Sequence, residues 1–98
     1  MTLQELNHNV GQILCYELEN YKAMFILNKV FPNLGNMIRV THHLKIYPKV
    51  EFFIPTMIEW TTWACYHYKY IRKPTNKELN TFKQNIRKLK LLKKNNDN

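Results

Sequence analysis

The sequence predicts a compact, mainly α domain of the α+β class, with one small β-hairpin and a basic amphipathic helix at its C-terminus. Three observations predict this class: apolar residues recur at helical spacing in several segments, an alternating apolar segment surrounds a central proline, and positive charge gathers in the last third. With 98 residues, 45% of them hydrophobic, the chain is sufficient for one core and too short for a multidomain enzyme. We expect one domain over residues 1–94 and a frayed polar tail over 95–98.

The first predicted helix covers about thirty residues. Thr2 and Glu5 have the spacing of a capping box, in which each side chain accepts a hydrogen bond from the other residue's backbone amide. Apolar residues then fall near one side of a 3.6-residue period, and Gly11 or Asn20 is where the helix could divide. One proline, one glycine and two asparagines within residues 32–36 predict a break in the chain there.

Residues 37–54 admit two interpretations. Apolar residues keep one alternation parity on both sides of Pro48, which favours a β-hairpin that turns at this proline. The alternating positions are Ile38, Val40, Leu44, Ile46, Val50, Phe52 and Ile54. In the alternative, Asn36 caps a short helix over 37–46 that precedes a strand, and the domain is winged-helix-like in outline, although no motif residue supports this.

Two further helices are predicted in the second half of the chain. Pro55 suits the first turn of a helix that ends before Pro74, because a first-turn amide has no partner inside the helix. Thr75 and Glu78 repeat the capping-box spacing. An apolar stripe follows them and predicts an amphipathic helix over 76–94, with the stripe formed by Leu79, Phe82, Ile86 and Leu89.

The charge is unevenly distributed along the chain. Lysine and arginine total 15 against 7 acidic residues, yet residues 1–35 carry a net charge of −1 and residues 67–94 carry +9. The 12 asparagines and 12 lysines suit AT-rich codons, as in a low-GC bacterium or a phage or mobile element living in one. A codon bias would spread lysines evenly, whereas a surface that binds a polyanion gathers them. We therefore expect the C-terminal third to contact nucleic-acid phosphates.

Candidate binding residues fall into three groups. The candidate phosphate contacts are Lys69, Arg72, Lys73, Lys77, Lys83, Arg87, Lys88, Lys90 and Lys94. Aromatic side chains among these cations suit stacking on unpaired bases, or docking on a protein partner, and the candidates are Trp60, Trp63, Tyr66 and Tyr70. If residues 37–46 are helical, the candidate groove contacts are Arg39, His42, His43 and Lys45.

Catalytic and metal-binding patterns are not evident in the sequence. Cys15 and Cys65 form no CxxC motif, and with the four histidines they match no structural zinc spacing, so we expect reduced thiols, an intracellular protein and no metal. Gly11 and Gly35 are the only glycines, which excludes a glycine-rich phosphate loop. We expect no cofactor, no signal peptide, no membrane-spanning segment and no enzymatic activity.

These observations favour a small, cytoplasmic, non-enzymatic nucleic-acid-binding accessory protein. Single-stranded DNA is the expected ligand in preference to duplex, because interleaved aromatic and basic residues suit unpaired bases. Its setting would be replication or regulation on a phage or mobile element. The alternative is an adaptor or inhibitor that binds and modulates a larger protein, such as a polymerase or helicase, through the same aromatic residues.

Overall fold

An antiparallel β-sheet forms the body of the protein in a computed structural model that describes residues 1–52 and 54–96. The strands are β1 (Ile13–Leu18), β2 (Tyr21–Val30), β3 (Met37–Ile46), β4 (Met57–Ile58), β5 (Thr62–Cys65) and β6 (Ile71–Arg72). Their order is β4-β3-β2-β1-β6, and β5 pairs with β3 along the edge that β4 also occupies. A short helix α1 (Leu3–His8) precedes the sheet and a long helix α2 (Asn76–Asn96) follows it. The prediction of a mainly α domain is therefore wrong.

The first thirty residues form a short helix and a hairpin where one long helix was expected. Helix α1 ends before Gly11, whose φ of +90° suits a residue without a Cβ atom, and β1 and β2 are joined through Glu19 and Asn20. Residues Ala23, Met24 and Phe25 are all buried because both faces of β2 are covered. A short apolar run of this kind fits a buried strand or a helix equally well, which is why periodicity misled the prediction.

Strand β3 replaces the alternative helix over 37–46, so the winged-helix-like outline is also wrong. The hairpin interpretation is correct for β3, but its antiparallel partner after Pro48 is β4, and Val50, Phe52 and Ile54 lie outside the strands. A β-bulge at His42, with φ of +52°, inserts one extra residue and reverses the alternation. Val40 consequently packs on one face of the sheet and Leu44 on the other, although the two share sequence parity.

The helix predicted between Pro55 and Pro74 is also wrong. This segment forms β4, β5, a single 3-10 turn (Tyr68–Tyr70) and β6. Its apolar and aromatic side chains lie on the two faces of β5 and its flanking residues. Ala64 and Tyr66 point into the core, whereas Trp63 and Cys65 are exposed.

Two clusters of buried side chains lie on opposite faces of the sheet. On the first face, Leu6 of α1 packs with Leu14, Phe25 and Ile38. On the second face, Phe82 of α2 is fully buried against residues of β1 to β4, and the cluster consists of Cys15, Met24, Leu44, Met57 and Phe82. We call these the α1 face and the α2 face. None of the helices in the described part of the chain is both long and apolar enough to cross a membrane.

Several local predictions are confirmed. Both capping boxes form: the Thr2 and Glu5 side chains and those of Thr75 and Glu78 each accept the amide hydrogen bond of the other residue. The break over 32–36 contains a 3-10 turn (Pro32–Leu34). The C-terminal helix α2 begins at Asn76 as predicted and continues through Asn95 and Asn96, so part of the expected tail is helical. Asp97 and Asn98 lie outside the described residues.

Candidate nucleic-acid interface

One end of the α2 face carries a row of three candidate binding side chains. Lys29 on β2 pairs with Arg39 on β3, which pairs with Trp63 on β5. Their neighbours Val30, Ile38 and Ala64 belong to the α1-face cluster, so the alternation of the strands directs the row to the α2 face. The row lies beyond the residues on which α2 packs. Part of the sheet surface next to the helix is therefore open.

An exposed aromatic stack lies at this row. The Phe31 and Trp63 rings stack with centroids 4.8 Å apart and an interplanar angle of 28°, while Trp63 remains 57% exposed. Lys29 Nζ is 5.1 Å and Arg39 Cζ 5.9 Å from the centre of the Phe31 ring. Arg39 Nε also donates a hydrogen bond of 2.9 Å to Asn28 Oδ1, which fixes the guanidinium beside the stack. We call Lys29, Phe31, Arg39 and Trp63 the aromatic patch.

A line of cations on α2 faces the same end of the sheet. Lys83, Arg87 and Lys90 follow the i, i+4, i+7 spacing that places residues on one side of a helix, and all three are exposed. Lys83 lines a cleft together with Ile13 of β1. Ile13 pairs with Ile26 of β2, and Ile26 pairs with Thr41 of β3. Thr41 is two residues from Arg39, so the stripe begins on the side of the sheet that carries the aromatic patch. We call these three residues the cationic stripe. Within residues 1–52 and 54–96, no carboxylate forms an ion pair with them.

The other predicted phosphate contacts lie outside the cationic stripe. Lys88 lines a groove with Pro55 and Met57 on the opposite side of α2, and Lys77 lines a pocket beside Lys22. Lys69 lies over the Tyr70 ring, with its Nζ 5.7 Å from the centroid. Lys73 lines the same cleft as Lys83. Lys94 belongs to α2, but its side chain is outside the described part of the structure.

Arg72 is engaged in an internal ion-pair network at the start of α2. Its guanidinium contacts both Glu78 oxygens at 2.7 and 2.9 Å and Glu17 Oε1 at 2.8 Å, and Lys22 Nζ lies 2.7 Å from Glu78 Oε2. The Arg72 hydrogen bonds, followed by those from Lys22 and the Thr75 amide, hold the pKa of Glu78 far below its usual value. Arg72 therefore anchors α2 to β1, a role for which its sequence position gave no signal.

The predicted stacking residues separate into exposed and buried groups. Trp60 and Tyr70 are exposed, at 69% and 44%, as is Trp63. Tyr66 is buried against Tyr16, with ring centroids 4.1 Å apart, and its hydroxyl lies 2.7 Å from His43 Nε2 and hydrogen-bonds to Tyr21. The Tyr66 ring is thus covered by protein and has no face open to a base.

The predicted groove contacts lie on a strand and not on a helix. Arg39 belongs to the aromatic patch, whereas His43 is buried and Lys45 is half-buried. His42 occupies the bulge, and its Nδ1 has no hydrogen-bond partner among the described residues. These four side chains consequently do not form one surface.

The sequence reasoning missed Lys29 and Phe31. Both lie in the N-terminal part of the chain, which carries no excess of positive charge and was interpreted as a helix. The available signal was Lys29 and Phe31 at alternate positions next to Pro32, a pattern that places both on one side of an extended segment. Cys15 is buried, Cys65 is exposed, and both are free thiols.

Comparison of the chain with models of known protein families, with curated protein sequences and with solved structures gives no match.

Proposed function

We propose that this protein binds single-stranded nucleic acid, with DNA as the preferred ligand, on the open end of the α2 face. The observation that carries the proposal is the exposed Trp63 ring stacked on Phe31 beside Lys29 and Arg39. Unpaired bases stack on such rings, and the cations of the patch and the stripe neutralise the backbone phosphates.

The chemistry of the aromatic patch favours a single strand over a duplex. Stacking of one base on an aromatic side chain contributes about 1–3 kcal/mol, and bases in a duplex are already stacked on one another. Neighbouring strands of a sheet lie about 4.8 Å apart, so the row from Lys29 to Trp63 spans about 10 Å. That width suits one or two nucleotides crossing the sheet towards the cationic stripe.

The proposed biological role is that of a non-enzymatic accessory protein. The codon-biased composition supports a setting in a phage or mobile element of a low-GC bacterium, with replication or regulation as the process served. In that setting the protein would act in the cytoplasm and hold unpaired strands for a larger enzyme.

A fluorescence-anisotropy titration tests the proposal. The labelled probes are an oligothymidine strand, a duplex of matching length and heparin, each at two salt concentrations. We expect the single strand to bind more tightly than heparin or duplex, and its affinity to decrease as salt rises. Equal, steeply salt-dependent binding to all three probes would show a general cationic surface, and absence of binding at moderate salt would refute the proposal.

A second candidate function is an adaptor that binds a larger protein, and exposed apolar side chains favour it. Phe52 is 96% exposed, Ile54 81% and Trp60 69%, values that are unusual for large apolar residues. This hypothesis predicts one stoichiometric partner that survives nuclease treatment in a pull-down from the native host. It also predicts that Phe52→Ser with Ile54→Ser removes the partner and leaves single-strand binding unchanged.

A further inference from the structure

A concave site, separate from the aromatic patch, lies beside the cationic stripe. A cleft of about 490 Å³ opens between the end of α1, the start of β1 and the first turns of α2. This volume is within the range of small-molecule sites, roughly 300–1,000 Å³. We call it the β1-edge cleft. Its lining includes His8, Gly11, Gln12, Lys73, Leu79 and Lys83.

The sheet topology explains why the cleft is open. Strand β6 pairs with β1 only at Cys15 and Tyr16, so the edge of β1 before Cys15 has no strand beside it. The chain leaves β6 through Lys73 and Pro74 and enters α2, and both this connection and the first turns of α2 line the cleft. The backbone of β1 at Ile13 therefore borders the cleft and not another strand.

The lining combines positive charge with an apolar wall. Lys73 and Lys83 come from different elements and line the same cleft, and His8 adds a third nitrogen donor. Ile13 and Leu79 supply flat apolar surface, while Asn9 and Gln12 supply amide groups. No acidic residue lines the cleft in the part of the chain that the structure describes. Glu5, in the first turn of α1, interacts electrostatically with Lys73 from outside the lining.

We propose that the β1-edge cleft binds a nucleotide. The phosphate group lies between Lys73 and Lys83, and the base lies against Ile13 and Leu79. The nucleotide is either free or the phosphorylated end of a bound strand, since the two present the same chemistry. This proposal rests on the proposed function and deepens it, because Lys83 belongs both to the cleft and to the cationic stripe. A strand that follows the stripe would then end in the cleft, at the edge of the sheet.

Titration of the ¹⁵N-labelled protein with thymidine monophosphate tests the site. We expect the amide signals of Gly11, Gln12 and Ile13 to shift on binding. Lys73→Gln should weaken binding by about tenfold, the effect of losing one charge-assisted hydrogen bond. The matched control is Lys88→Gln, on the opposite side of α2, which should leave the affinity unchanged. Absence of these shifts, or equal affinity in the Lys73 variant, would overturn the proposal.

Two further probes identify the source of the nucleotide. If the cleft holds a strand end, an oligothymidine with a 5′ or 3′ phosphate should bind more tightly than one with hydroxyl ends, and Lys73→Gln should abolish the difference. If the ligand is a free nucleotide, the monophosphate binds but terminal phosphates add nothing. Trp63→Ala separates the two sites: it should weaken strand binding and leave monophosphate binding intact. Monophosphate binding without strand binding would refute the proposed function alone.

Discussion

The protein has two aromatic clusters that share two segments of chain. Strand β3 contributes His43 to the first cluster and Arg39 to the second. The segment around β5 contributes Tyr66 to the first cluster and Trp63 to the second. The first, the tyrosine cluster, consists of Tyr16, Tyr21, His43 and Tyr66 on the α1 face. The second is the aromatic patch on the α2 face.

The two clusters differ in burial and in the partners of their polar atoms. In the tyrosine cluster the Tyr66 hydroxyl lies between Tyr21 and His43, so the buried polar groups satisfy one another. In the aromatic patch the polar groups are the charged ends of Lys29 and Arg39, which remain available to a ligand. The two clusters do not differ through composition alone. They differ because α1 and the chain around Tyr68 cover the α1 face, on which the tyrosine cluster lies.

The largest difference between the clusters is expected in stability. Tyr66→Ala should lower the free energy of unfolding by about 3–5 kcal/mol, the range for truncating a large buried aromatic side chain. Trp63→Ala should lower it by only about 1 kcal/mol, the contribution of one aromatic pair. Urea denaturation followed by circular dichroism measures both values. Equal destabilisation by the two variants would show that Trp63 belongs to the core.

Tyr66→Phe provides the control within the tyrosine cluster. It keeps the stacked ring and removes the hydroxyl between Tyr21 and His43, so we expect a smaller loss, about 1–3 kcal/mol, from the unsatisfied partners. A loss as large as that of Tyr66→Ala would mean that hydrogen bonding, and not ring packing, dominates the cluster.

The tyrosine cluster should also make stability depend on pH. Burial, followed by the nearby Lys45, lowers the pKa of His43 from 6.5 to about 4. Below pH 6.5 the unfolded chain therefore binds a proton that the folded protein does not. The His43 contribution to the free energy of unfolding should fall by roughly 3 kcal/mol as the pH drops from 6.5 to 4. Urea denaturation measures the slope between pH 6.5 and 5.5, above the range in which the Glu78 carboxyl titrates in the unfolded chain. In that interval the slope should disappear in His43→Gln and persist in the surface variant His8→Gln.

Helix α2 could be predicted from the sequence because its signals are local. The capping box of Thr75 and Glu78 and the stripe through Leu79 and Phe82 each lie within a few residues of each other. The strands depend on distant partners: β1 is completed by β6, more than fifty residues later. The β-bulge at His42 places Val40 and Leu44 on opposite faces of the sheet. The bulge arises from the pairing of β3 with β2, and no local sequence pattern predicts it.

The candidate site was predicted in part for the same reason. Lys83, Arg87 and Lys90 lie on one helix, so their common side follows from spacing alone. Trp63 was selected for its chemistry, but its neighbours Phe31 and Lys29 reach it only through strand pairing. Arg72 was selected for its charge and forms an internal ion pair with Glu78 instead, because the two are brought together where β6 meets α2.

Charge reversal of the cationic stripe should have the largest effect on binding. The triple variant with Lys83→Glu, Arg87→Glu and Lys90→Glu should bind a single strand about 100-fold more weakly at moderate salt. The slope of log affinity against log salt should become shallower by about 2, because each phosphate contact contributes about 0.7 to this slope for single strands. Anisotropy titrations at several salt concentrations measure both quantities.

The matched control reverses three cations outside the proposed path, namely Lys49, Lys69 and Lys88. It changes the net charge by the same amount, so a general electrostatic effect would weaken binding equally in both variants. We expect the control to retain most of the affinity and of the salt dependence. Equal losses would remove the stripe as a distinct phosphate site.

The smallest binding effect, and the most specific, is expected at the aromatic patch. Trp63→Ala should weaken single-strand affinity by about tenfold, within the range of 1–3 kcal/mol for stacking of one base, and leave the salt slope and duplex affinity unchanged because no charge is removed. Trp60→Ala is the matched control: Trp60 is more exposed than Trp63, yet it lies outside the row formed by Lys29 and Arg39. If both tryptophans contribute equally, exposure alone determines binding; if only Trp63 contributes, the stack on Phe31 forms the base-binding platform.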